Sequence, residues 1–278
     1  MATLGVVAYD PLFDSAWHKW AQAMRHSEAL EAEIKTMRRD GRPQPGFASR
    51  AKYEAHRHGF GVYVERIAET PPRQLLLLGD AANNFRAALD HLAWAVVCRG
   101  HTPPDKLTKD EQRAVYFPIV GTTWRQFDGE LPSKLPGVRR ADVAKIRAHQ
   151  PYKKGARARP RHYLTLMKEI NDGDKHRTIQ PIWVQPVKAW VEVTDQRDCV
   201  VPTRTNRLRP NPLKVGAEIT FLHARKTGPN PEIDVEAGIL AEPCVQRQVS
   251  VETWLSITKK SVAQLLMQFS EPPPEIND

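Results

Sequence analysis

The stretch LLLLGDAANNFRAALDHLAWAVVC, residues 75 to 98, decides the fold that we expect for this chain. At about 100° per residue its leucines, its alanines and Phe85 fill one broad arc of a helix, and its polar side chains fill the opposite arc. Leu76 and Trp94 lie within that polar arc. Large apolar residues on a polar face are typical of a helix that is covered by protein or ligand, so this face is a candidate site.

Outward from this helix, the patterns predict an α+β fold, because helices dominate the first two thirds of the chain and strands dominate the last third. Apolar residues at helical spacing predict helices, and alternation predicts strands. We expect the central helix to pack beside a mainly antiparallel sheet. The expected helices cover 14–39, 142–149, 162–170 and 251–270, with 171–173 ending the third. Alternation begins at 53, and FGVYVERI (60–67) is an expected strand with a bulge or bend at Gly59 and Gly61; further strands are expected within 178–250. We expect one α+β unit over 1–278, helix-rich in 1–177 and strand-rich in 178–250.

The charge of the chain is concentrated in one segment. The net charge is +9, and residues 139–161 contain nine basic side chains against one acidic side chain. Cations mixed with aromatic rings suit single-stranded RNA, and a solvated loop is the alternative. We expect this segment to bind RNA through Tyr152, Lys153, Lys154, Arg157 and Arg159. No apolar run is long enough to span a membrane and no secretory signal is apparent, so we expect a cytoplasmic protein without a membrane partner.

Four segments resemble a widespread bacterial family of unassigned function. They are GDAANNFRAALDHLAWAVV, YFPIV, HQPYKKG and LMKEINDGDKHR, and they follow one another in that family's order. The family signature is similar to GDxxxNxRxALDHL followed downstream by NxxDKHR. The resemblance covers residues 75–184 and brings no established activity with it.

Arg86 and His91, which have four residues between them, also resemble the motif of HEPN ribonucleases. That resemblance implies a helical, HEPN-like portion, a homodimer and metal-independent cleavage of RNA where two motif helices meet. It further implies a role as a toxin or in defence against phage.

The chemistry of such a cleavage also follows from the residue types. Attack by the 2′-hydroxyl needs a base of near-neutral pKa and a cation beside the phosphorus, which His91 and Arg86 supply. Asp90 stands one helical turn beyond Arg86 and would orient it. If the DKHR segment docks on this helix, His176 would protonate the leaving oxygen. Three further side chains would then hold phosphate: Asn83, Lys175 and Arg177.

Several alternatives remain open on the sequence alone. Arg86 and Asp90 would equally well form a structural ion pair, and Asp174 would pair with Arg177. A metal site could use Asp80, Asp90, His91, Asp174 and His176, but no HxH, HxxxH or HExxH pattern is present, and we predict no metal and no cofactor. We therefore expect an RNA-binding protein that is either an endoribonuclease or a non-catalytic module for a nucleotide, nucleic acid or acidic partner. A structural protein of an assembly is the third alternative.

Overall fold

The structure is a computed structural model, which describes residues 8–38, 47–67, 71–100, 107–176, 183–193, 214–223, 235–245 and 249–276. It confirms the α+β class. The chain divides into two compact units, which we call the helical unit (Met1–Glu31, Pro72–Gln180 and Glu252–Asp278) and the strand unit (Ala32–Pro71 and Pro181–Val251). Each unit is described by itself, and the expectation of one domain stays a prediction. Among the described helices, none has the length and apolar content needed to cross a bilayer.

Seven α-helices occur in the described ranges, and most of their residues belong to the helical unit. They are α1 (Asp14–Arg38), α2 (Pro72–Arg99), α3 (Lys109–Ala114), α4 (Trp124–Lys134), α5 (Arg140–Ala148), α6 (Tyr163–His176) and α7 (Val251–Met267). α3 and α4 lie in a stretch without a clear periodic pattern. Threonine caps explain where these two helices begin, since Thr108 accepts from the N–H of Glu111 and Thr123 from that of Gln126.

α2 is the central helix that the sequence predicted, and it packs against α6. Most of its apolar arc is buried, with Phe85, Leu89 and Leu92 inaccessible to solvent. The helix starts at Pro72, where the missing N–H of proline does no harm. On the polar arc Leu76 is 53% exposed, so the chain itself does not cover this residue.

α6 is longer than predicted. The expectation that residues 171–173 end this helix is wrong, because α6 continues to His176. Ile170 and Asn171 are buried, so tertiary packing holds the helix through Gly173 despite the roughly 1 kcal/mol helix penalty of glycine. As a result, Asn171 and Asp172 lie within a helix that packs beside α2.

The strand unit contains two antiparallel three-stranded sheets, in the orders β1-β2-β4 and β3-β5-β6. The strands are β1 (Phe47–Glu54), β2 (Gly59–Ile67), β3 (Trp183–Val193), β4 (Glu218–His223), β5 (Val235–Val245) and β6 (Val249–Ser250). β2 confirms the strand expected at FGVYVERI, residues 60–67. The alternating stretch that begins at 53 is interrupted by a hairpin turn at 55–58, so Tyr53 and Glu54 belong to β1. That turn uses His58 at φ 51°, a left-handed conformation that is uncommon for a residue other than glycine.

Candidate functional site

Arg86 and Asp90 on α2 form hydrogen bonds to the backbone of Phe117. The two side chains pair directly, with 3.1 Å from Arg86 Nε to Asp90 Oδ2 and 2.9 Å from Arg86 Nη2 to Asp90 Oδ1. Arg86 Nη2 also donates to the Phe117 carbonyl at 2.9 Å, and the Phe117 N–H donates to Asp90 Oδ1 at 2.9 Å. The ion pair thus satisfies the donor and the acceptor of Phe117, as a neighbouring β-strand would.

The other end of this extended segment is held by Gln150, a fully buried side chain. Its Oε1 accepts from the N–H of Val120 at 2.9 Å, and its Nε2 donates to the carbonyl of Pro118 at 2.9 Å. Residues 115–120 therefore run extended, and they pair with none of the strands that the structure describes. This agrees with the sequence, which allowed either a short buried strand or an extended segment here.

A pocket of about 360 Å³ lies beside the ion pair, and we call it the Arg86 pocket. Its walls come from α2, α4, α6 and the extended segment. The lining residues are Arg86, Asp90, Tyr116, Phe117, Ile119, Lys134, Lys168, Asn171 and Asp172. It brings Arg86 and Asp90 of the GDxxxNxRxALDHL signature together with Asn171 and Asp172, the first two residues of the NxxDKHR signature.

Three cations line the Arg86 pocket, and they differ in how far the protein already uses them. Arg86 commits Nε and Nη2 to Asp90 and Phe117, whereas its Nη1 makes no hydrogen bond to the described residues. Lys134 pairs with Glu130, and its Nζ lies 4.3 Å from the centre of the Tyr116 ring. Lys168 is exposed and forms no ion pair within the described part of the chain. Lys168 is therefore the cation most available to a ligand.

Asn171 is the unusual polar residue of the pocket. It is only 4% exposed, and its Oδ1 has no hydrogen-bond partner among the residues described. A buried polar group left without a partner costs about 1–3 kcal/mol, so such a group in a folded protein calls for an explanation. A ligand that hydrogen-bonds to the amide supplies one.

His91 does not share the pocket with Arg86. Five positions along an α-helix turn the side chain by about 140°, which places His91 away from the arginine, and it is not a lining residue. Burial and the Lys19 ammonium lower the pKa of His91, while Asp90 acts in the opposite direction. A pKa lowered in this way favours the neutral imidazole, which is the form that a general base needs.

The other predicted side chains are placed as follows. Asn83 is half-buried on α2. Asp80 lies beside His26, with 4.0 Å between Asp80 Oδ2 and His26 Nδ1. Asp174, Lys175 and His176 form the last residues of α6, and their side chains fall outside what the structure describes, as does the whole of Arg177. Within the described residues there is no group of three or more His, Cys, Asp or Glu side chains that could hold a metal ion.

Some side chains of the basic segment (139–161) are exposed, and others are held by hydrogen bonds or packing within the protein. Lys153, Lys154 and Arg157 are exposed. Arg159 instead donates to the carbonyls of Lys154 and Thr122, at 3.0 and 3.1 Å. The ring of Tyr152 packs 6.1 Å from that of Phe127, and its hydroxyl is buried. Tyr152 therefore contributes to packing, and the exposed cations are the part of the segment that is open to a ligand.

Seven of the nine pocket residues were not predicted as site residues from the sequence. Six of them stand within the quoted segments YFPIV and LMKEINDGDKHR, so the family-like pattern contained a signal for them: Tyr116, Phe117, Ile119, Lys168, Asn171 and Asp172. No comparable signal marks Lys134, which joins the pocket only through the packing of α4. Comparison with family models, with curated proteins and with solved structures finds no match to this chain.

Proposed function

We propose that the protein binds RNA through its helical unit, and that the Arg86 pocket takes a phosphate group. The observation that carries the proposal is the pocket itself, in which Arg86, Lys134 and Lys168 converge from three elements. Convergent cations in a concave site are what a phosphate requires.

The ion pair with Asp90 supports this role of Arg86. Because Asp90 and the Phe117 carbonyl fix the guanidinium, Arg86 loses little further freedom when it binds an anion. Its Nη1 still carries donors for an incoming oxygen. The carboxylate of Asp90 is neutralised by Arg86 and by the N–H of Phe117, which reduces its repulsion of a phosphate.

The exposed cations of the basic segment support the choice of RNA. Lys153, Lys154 and Arg157 have no acidic neighbour within residues 143–161. Such a cluster attracts a phosphate backbone without reading its sequence, and the attraction weakens as salt rises.

The test is the binding of a fluorescent single-stranded RNA at several salt concentrations, measured by anisotropy. Lys168→Gln removes the available cation of the pocket and should reduce the salt slope of the association constant by about 0.7, the value for one phosphate contact on a single strand. Lys260→Gln is the matched control, since Lys260 is exposed on α7 and lies outside the pocket.

Binding by Lys168→Gln with the same affinity and the same salt slope as the wild type and Lys260→Gln would contradict the pocket as a phosphate site. A loss limited to Lys168→Gln supports it.

Metal-independent cleavage of RNA is the second candidate function. The lowered pKa of His91 favours it, whereas the placement of His91 outside the Arg86 pocket counts against it. It predicts that RNA is cut in the presence of EDTA and that His91→Ala and Arg86→Ala abolish cutting. Products that form equally with the wild type and both variants would exclude these two residues as the catalytic pair.

A further inference from the structure

We propose that the Arg86 pocket takes a whole adenine nucleotide, with the phosphate on the cations and the base on Asn171 and Tyr116. The inference rests on the proposed phosphate site and adds to it the identity of the attached group. Its starting point is the amide of Asn171, which is buried at the pocket and has no partner for Oδ1 among the described residues.

The chemistry of the amide selects the base. An asparagine side chain presents an acceptor and a donor side by side, and rotation about its last bond exchanges their positions. Adenine presents the complementary pair, an amino donor beside a ring-nitrogen acceptor, and asparagine commonly binds it with two hydrogen bonds. The corresponding edge of guanine has two acceptors. The amide N–H can donate to one of them, but the amide oxygen then faces a second acceptor and forms no hydrogen bond.

Tyr116 supplies a surface for a flat ring. It is 39% exposed although it lines the pocket, and the Lys134 ammonium lies 4.3 Å from its ring centre. Exposed aromatic rings beside cations are the usual platform for a nucleobase in proteins that bind single strands.

The size and the remaining polar group also fit a nucleotide. A volume of about 360 Å³ is at the lower end of the range of roughly 300–1,000 Å³ for small-molecule sites, whereas a bare phosphate would fill only a small part of it. Asp172 is an exposed carboxylate at the pocket and can accept hydrogen bonds from ribose hydroxyls.

Calorimetric titration of the full chain tests the inference with three probes: adenosine 5′-monophosphate, guanosine 5′-monophosphate and ribose 5-phosphate. We expect the adenine nucleotide to bind at least about tenfold more tightly than the other two, which corresponds to about one further satisfied polar contact. Short oligo(A) and oligo(U) RNAs form a second arm, because the same adenine nucleotide could be free or part of RNA. A preference in either arm supports the inference and tells which source is used.

Asn171→Leu is the decisive variant, because leucine has a similar size and cannot hydrogen-bond. We expect it to abolish the adenine preference, leave ribose 5-phosphate binding unchanged and keep or raise the melting temperature, since it removes an unsatisfied group. If the amide instead stabilised the fold, Asn171→Leu would lower the melting temperature. Tyr116→Ala should weaken both nucleotides and leave ribose 5-phosphate binding unchanged, because the ring can stack on either base. If leucine disturbs folding, Asn171→Ser is used in its place.

The outcomes separate the two proposals. No adenine preference in either arm, or a preference that persists in the Asn171 variants, overturns this inference. If Lys168→Gln still weakens RNA binding in that case, the phosphate site stands. If Lys168→Gln has no effect on any phosphate-bearing probe, the phosphate site and the nucleotide inference both fail.

Discussion

At the scale of single residues, Arg86 serves the fold with part of its guanidinium and leaves another part for a ligand. Its i, i+4 partner Asp90 was readable from the sequence, because residues one turn apart on a helix are neighbours. The bonds of both side chains to Phe117 were not readable, since about thirty residues of chain separate them and only the tertiary fold brings them together. The same holds for Asn171, which the sequence favoured as a helix end.

The residue-scale prediction concerns Asp90. Asp90→Ala should destabilise the protein by about 2–4 kcal/mol, because it leaves a largely buried arginine and the Phe117 N–H without their acceptor. Asp90→Asn keeps an acceptor for that N–H and should therefore lower the free energy of unfolding by less. Denaturant unfolding measures both variants.

Asp110→Ala is the control, since Asp110 forms a pair with Arg113 that is almost fully exposed and of little energetic weight. A protein with Asp90→Ala that is as stable as the control would show that the ion pair contributes nothing to the fold.

At the scale of elements, long helices with strong periodicity were predictable, whereas the end of α6 and the turn between β1 and β2 were harder to predict. α2 follows its pattern closely, whereas α6 runs past three residues that favour a helix end. The hairpin of β1 and β2 has no glycine within its turn, so the usual sequence signal is missing and His58 takes the left-handed position instead. In both cases tertiary packing overrides the local preference.

The element-scale prediction concerns the start of α6. His162 caps this helix, because its Nδ1 accepts from the N–H of Leu164 at 3.3 Å. Burial, with smaller effects from Lys154 and His149, lowers the pKa of His162 to about 4. The ordinary value is 6.5, so below that pH the unfolded chain takes up a proton that the folded protein does not. Stability should fall as the pH is lowered from about 6.5 to about 4, and it should be unaffected by this group above about 7.

The matched variant is His162→Asn, which keeps a good cap and cannot titrate. Melting temperatures measured from pH 7 to pH 4 should decline less steeply for this variant than for the wild type. Part of the decline should remain, because burial also lowers the pKa of the adjacent His149. Parallel curves for the two proteins would contradict the role of His162.

At the scale of the whole molecule, the α+β class followed from the distribution of helical and alternating patterns, but the division of the chain did not. The helical unit includes the C-terminal helix, and the strand unit includes residues from Ala32 to Pro71 that come before α2. Composition shifts along the chain cannot reveal such an arrangement, because each unit is assembled from separate segments. The positive charge was readable, and so was its concentration in residues 139–161.

The most direct test of the central claim, that the Arg86 pocket receives a phosphate of bound RNA, is lysine modification with and without RNA. An acylating reagent is added to the protein, and mass spectrometry follows the rate at each lysine. With RNA bound, Lys168 should react several times more slowly while Lys260 reacts at its original rate. An unchanged rate at Lys168 under conditions where RNA is fully bound would contradict the claim.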